Sequence, residues 1–156
     1  MNWLQFAVQW LHVLLAILWF GYGLSMYFLI APALRRLPEG AQREAGIHIA
    51  AIGQRVFPIV APLVILFGII RGTIFGPIDT LDALFGTAYG ITFLVALLVS
   101  IGLIINGARN ISPALSELKD TPDFAAIGAR LQRYSQFDLV GFTIVFTTMV
   151  LMRFGL

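Results

Sequence analysis

The chain has 156 residues, 59% of them hydrophobic and only 12% charged, with a formal net charge of +2; its mean hydropathy is +0.90 and its pI is near 9.4. Soluble domains carry roughly 25% charged residues, so this chain lacks the polar side chains to cover itself in water, and its weak, dispersed positive charge is no nucleic-acid footprint. The absence of cysteine excludes disulfides, iron–sulfur clusters, thiolate zinc sites and covalent c-type haem, but not haem b, which histidine or methionine alone holds.

In chain order, the N-terminus Met1-Asn2-Trp3-Leu4-Gln5 has no Lys or Arg. It therefore lacks the positive n-region of a secretory signal, and the first apolar segment is expected to be retained. A membrane span needs roughly 20 apolar residues. Four stretches meet that length, at about 6–34, 56–75, 84–106 and 137–154. The expected fold is all-α: one transmembrane domain over 1–156, an antiparallel four-helix bundle of two helical hairpins.

The loops sort by charge. The first holds Arg35, Arg36, Arg43 and Arg55, and the third holds Arg109, Lys119, Arg130 and Arg133. The second holds no Lys or Arg, only Asp79 and Asp82. By the positive-inside rule, loops one and three are cytoplasmic and both termini face outward, which suits a prokaryotic inner (plasma) membrane. Leu37-Pro38-Glu39 and Thr121-Pro122-Asp123 read as helix starts, with proline in the first turn and an acid at the positive end of the dipole. Spans two and four are thus expected to extend below the bilayer. Pro58 and Pro62 place a kink in span two.

A weak internal repeat is visible. Pro32-Ala33-Leu34 closes span one and Pro113-Ala114-Leu115 follows span three. Arg71 lies 39 positions after Pro32, and Arg153 lies 40 after Pro113. The pattern reads as two parallel hairpin repeats related by an axis along the membrane normal. A second copy of His12 would fall at position 93, which is Phe93.

His12 is the ionisable residue inside span one. A charged group at the centre of a span costs about 2.5–3.5 kcal/mol on insertion scales and is a functional candidate by default. Three readings stand: an axial ligand to haem b, a copper ligand, or a neutral histidine bonded to a carbonyl or hydroxyl of a neighbouring helix. Arg71 and Arg153, at outer span ends, either snorkel to the interface or anchor an anion such as a haem propionate; Asp79 and Asp82 compete as their partners. Met149 and Met152, spaced i, i+3 on span four, either pack or offer a thioether to haem iron or Cu(I). His48 belongs to the cytoplasmic side, out of reach of an iron at His12. Asp138 reads as an interfacial ion-pair or cap residue beside Arg133 and Tyr134. Gly68, Gly72 and Gly76 form a small-residue ladder that suits bundle packing, a porphyrin or an oligomer contact. No phosphate loop, nucleophile elbow or HExxH occurs.

The run Trp10-Leu11-His12, followed by Trp19-Phe20-Gly21, resembles the first helix of the CopD/HemJ-like superfamily of small membrane proteins. Arg55-Val56-Phe57 with Pro62 and Gly68 is similar to that group's second helix, and Thr92–Leu98 to its third. The resemblance implies a four-helix core with His12 as a haem b ligand. The functional lysine that HemJ-type oxidases carry early in the third helix has no counterpart in Tyr89-Gly90-Ile91, which speaks against protoporphyrinogen oxidation.

The leading expectation is a small haem b-binding membrane protein with a redox or electron-transfer role. His12 would ligate the iron, Arg71 and Arg153 would hold propionates, and Met149 or Met152 would stand near. One alternative is a cofactor-free accessory subunit of a larger membrane complex, or a homo-oligomer; another is copper or other metal handling.

Overall fold

The computed structural model describes residues 2–118 and 124–155, so Lys119 and the Thr121-Pro122-Asp123 start lie outside the described residues. Helix α1 spans Trp3–Ser25; Asn2 caps it, its side-chain oxygen accepting from the amides of Leu4 and Gln5, two of the donors a helix N-terminus leaves unpaired. A π-helical turn at Met26–Ile30 carries it into α2, Ala31–Leu34. Helix α3 runs from Glu39 to Gly72, with Pro38 at its N-cap and Glu39 in its first turn. The start expected at Leu37-Pro38-Glu39 is therefore present, and α3 begins well before the apolar run does. Pro58 and Pro62 lie inside this single helix, where each withholds one i→i−4 donor.

A short α4, Leu81–Gly86, capped by Thr80, precedes α5, Ala88–Asn106, capped by Thr87. A second π-helical turn, Gly107–Ile111, leads into α6, Ser112–Glu117. Helix α7 covers Phe124–Arg153. Four of the resulting helical stretches, Trp3–Leu34, Glu39–Gly72, Ala88–Glu117 and Phe124–Arg153, are long and apolar enough to cross a membrane.

The two π-helical turns have a common cause. Each is followed by a proline, Pro32 or Pro113, whose ring clashes with the carbonyl four residues back in a regular α-helix. Adding one residue to the turn relieves the clash. The bond to the carbonyl five residues back is then made just before the proline, by Ala31 to Met26 and by Ser112 to Gly107. The turns are 81 positions apart, as are Pro32 and Pro113. The internal repeat of the sequence thus has a matching repeat in the backbone.

Packing is strongest between α1 and α3 and between α5 and α7. Along the first pair Gln9 meets Arg71, His12 meets Val64 and Tyr22 meets Phe57. Along the second, Leu103 faces Gly141 and Asn106 bonds Asp138. A small apolar core of Ala114, Leu118 and Ile127 ties α6 to α7. Large apolar side chains such as Trp3, Leu4, Ile59 and Leu98 are more than 60% exposed, the surface a lipid bilayer would cover.

One close approach locks α3 to α5. A Cβ placed on Gly72 would stand 2.5 Å from Cε2 of Phe93, so only glycine admits the ring there. Gly72→Leu is expected to cost about 1–3 kcal/mol through overpacking, read as a lower midpoint of unfolding in detergent; an unchanged midpoint would show that the seam is loose.

Candidate cofactor-binding cavity

Helix α1 presents Gln9, His12, Ala16, Trp19 and Phe20 along one side, the three- and four-residue recurrence of one helix face. With residues of α3, α5 and α7 they line a cavity of about 720 Å³. That size lies within the roughly 300–1,000 Å³ of cofactor and ligand sites. The five residues expected to bind a cofactor, His12, Arg71, Met149, Met152 and Arg153, all line it.

The imidazole of His12 is half-buried, with Nδ1 2.9 Å from the carbonyl oxygen of Val64 on α3. A carbonyl only accepts, so Nδ1 carries the proton and Nε2 keeps its lone pair. Gly68 makes this contact possible: a Cβ there would lie 3.0 Å from Cε1 of His12. The carbonyl bond satisfies one ring nitrogen, as the structural reading of His12 requires. The other, Nε2, has no hydrogen-bond partner among the described residues.

Arg71 ends α3. Its Nε donates to Oε1 of Gln9 at 2.7 Å and its Nη1 to the carbonyl of Phe75 at 2.8 Å. The competing partners Asp79 and Asp82 are exposed and do not pair with it. Asp82 instead occupies the first turn of α4, where its charge suits the helix dipole. Arg153 ends α7 and makes no hydrogen bond or ion pair with the described residues. Arg130 of α7 pairs instead with Glu117 of α6, at 2.7 Å. The cavity lining holds two guanidinium groups and no carboxylate, a field that attracts an anion.

Met149 and Met152 face the cavity from α7. His48 is exposed on α3, 16 positions before Val64, about 24 Å away at 1.5 Å per residue, as its sequence position implied. Asp138 differs from its expected role. It is neither a cap nor an ion-pair partner of Arg133, but lies midway along α7 and accepts from Nδ2 of Asn106 at 2.7 Å. Asn110 donates in turn to Oδ1 of Asn106 at 2.8 Å. The helix extending below the apolar run carries Asp138 away from the helix end, and an amide on α5 satisfies it where a cation was expected. The glycine ladder is occupied within the chain: Gly68 receives His12 and Gly72 receives Phe93, while Gly76 abuts the backbone of Arg71 and Gly72.

Sequence reasoning did not single out Gln9 or Ser100, which also line the cavity. For Gln9 a signal existed, since it precedes His12 by three residues and so shares its helix face. The Val64 carbonyl had none, because any residue type supplies a carbonyl.

Among the described residues no group of three or more His, Cys, Asp or Glu side chains converges. A metal held by those side chains alone would want three or four of them. Haem brings four nitrogens of its own and asks the protein for one or two axial ligands. The cavity lining here offers one imidazole, two thioethers and two guanidinium groups. No family model, curated protein or solved structure matches the chain.

Proposed function

We propose that this chain is a haem b-binding membrane protein with an electron-transfer or other redox role, its cofactor held in the cavity beside His12. The observation that carries the reading is that one cavity gathers a histidine with its Nε2 lone pair uncommitted, two arginines without carboxylate partners and a mostly apolar wall. In this reading Nε2 of His12 would ligate the iron. The Val64 carbonyl, bonded to Nδ1, fixes the ring and raises its basicity, the usual second contact of a metal-binding histidine. Arg71 is steadied by Gln9 and Phe75, which leaves Nη2 to bind a propionate, and Arg153 supplies the second guanidinium. Trp19, Phe20, Phe93 and Phe142 wall the space and exclude water. Met149 or Met152, also in the cavity lining, would supply a thioether donor. Haem bound there would supply a one-electron couple.

The same proposal sets the bundle antiparallel in a prokaryotic inner membrane, with loops one and three cytoplasmic and both termini outward. Its support is the charge of the loops and the order of the α1–α3 contacts, in which Gln9, His12 and Tyr22 meet progressively earlier residues of α3. The CopD/HemJ-like resemblance of the first helix points the same way for His12.

The test is the absorption spectrum of the protein purified from haem-replete cells. A Soret band, with about one haem per chain by pyridine haemochrome assay, is expected. A colourless protein that also takes up no added haem overturns the reading, and copper in its place would favour metal handling.

A further inference from the structure

The backbone repeat sets two seams in equivalent places, one between α3 and α5, the other between α1 and α7. The first is shut near the Arg71 end by Phe93 lying against Gly72. Shifted by the 81 positions that relate the π-helical turns, the matching pair across the second seam is His12 and Arg153. No hydrogen bond joins them, and α1 and α7 touch further from the Arg153 end. There Phe142 packs on Gly23, Trp19 and Phe20, and Phe146 stacks on Phe20.

Beyond that contact the cavity opens. Val13 and Ile17 of α1 and Phe146 of α7 all line it, yet they are 43%, 63% and 57% exposed. Val13 and Ile17 lie 10 and 14 residues after Trp3, where α1 begins, about 15 and 21 Å along its axis. A hydrocarbon core is about 30 Å thick, so this mouth stands at membrane depth and its rim is apolar.

We infer that the α1–α7 seam is a lateral portal, through which an amphipathic anion already dissolved in the bilayer reaches the cavity. Its apolar body passes Val13, Ile17 and Phe146, and its acidic end comes to rest at Arg71 and Arg153. The inference rests on the haem-site reading and adds the route. The ligand comes from the lipid, because the closed α3–α5 seam and the apolar rim offer a polar carrier no matching surface.

The probe is haem b dissolved in phosphatidylcholine vesicles that contain the reconstituted haem-free protein, with Soret development followed in time. Ile17→Trp, which narrows the mouth, is expected to slow uptake about tenfold, within the one to three decades over which association rates vary among variants of one site. Phe146→Ala, which widens it, is expected to speed uptake. Leu98→Trp, on an exposed face of α5 away from this cavity, leaves the rate unchanged. If the unsubstituted protein binds no haem, the site and the portal both fall. If it binds haem and neither Ile17→Trp nor Phe146→Ala changes the rate, the portal falls and the site stands. Loading from albumin-held haem in water faster than from the bilayer also overturns the portal. Should Ile17→Trp not fold, Val13→Trp narrows the same rim.

Discussion

His12→Gly protein is expected to purify without a Soret band from cells in which the unsubstituted protein is red. The substitution removes the one imidazole in the cavity and with it the proposed nitrogen ligand to the iron. It leaves a hole of imidazole shape against the Val64 carbonyl and Gly68. Added imidazole should occupy that hole, donate to the same carbonyl and restore the band. A histidine that merely packed would give no such rescue, and a His12→Gly protein that stays red would remove His12 from the site. Gly68→Ala is the graded version. Its Cβ would press on Cε1 of His12 from 3.0 Å and tilt the ring off its carbonyl bond. Loss of such supporting contacts typically lowers metal affinity about 10- to 100-fold, and haem titration should read a shift of that order.

The four apolar helices were legible because a bilayer imposes a length and a composition that few other structures share. The extension of α3 beyond its apolar run was legible from Pro38 and Glu39, two residues with a local reason to begin a helix. The π-helical turns were not, although their cause, a proline inside a continuing helix, was in view at Pro32 and Pro113: whether such a proline breaks, kinks or widens a helix depends on what packs beside it. Asp138 was misjudged for a similar reason. Its fate depended on Asn106, 32 residues earlier, and on the register of α5 against α7, which no local pattern carries. The five cavity residues were chosen on residue type and depth alone, and they converge because depth in a membrane is set by sequence position along each span. What depth does not fix is rotation. That His12 turns toward α3 follows from glycine at position 68, whose meaning as a seat for the ring emerges only with the register of α1 on α3.

Arg153→Glu is expected to weaken haem binding about tenfold while leaving folding stability within about 0.5 kcal/mol. The two arginines differ in how cleanly each can be tested. Arg71 bonds Gln9 and the Phe75 carbonyl, so replacing it disturbs the end of α3 as well as any ligand. Arg153 bonds none of the described residues, and its exposure keeps its electrostatic effect modest through solvent screening. Its substitution therefore reports on the ligand alone. Haem dimethyl ester, which carries no propionate charge, supplies the complementary change. If Arg153 meets a propionate, the ester binds the unsubstituted protein more weakly than haem does, and Arg153→Glu costs the ester less than it costs haem. The two changes are then non-additive, the signature of groups in contact. Equal losses for haem and ester would show that Arg153 senses no propionate and snorkels to the interface, leaving Arg71 as the sole anchor for the acidic end of the ligand.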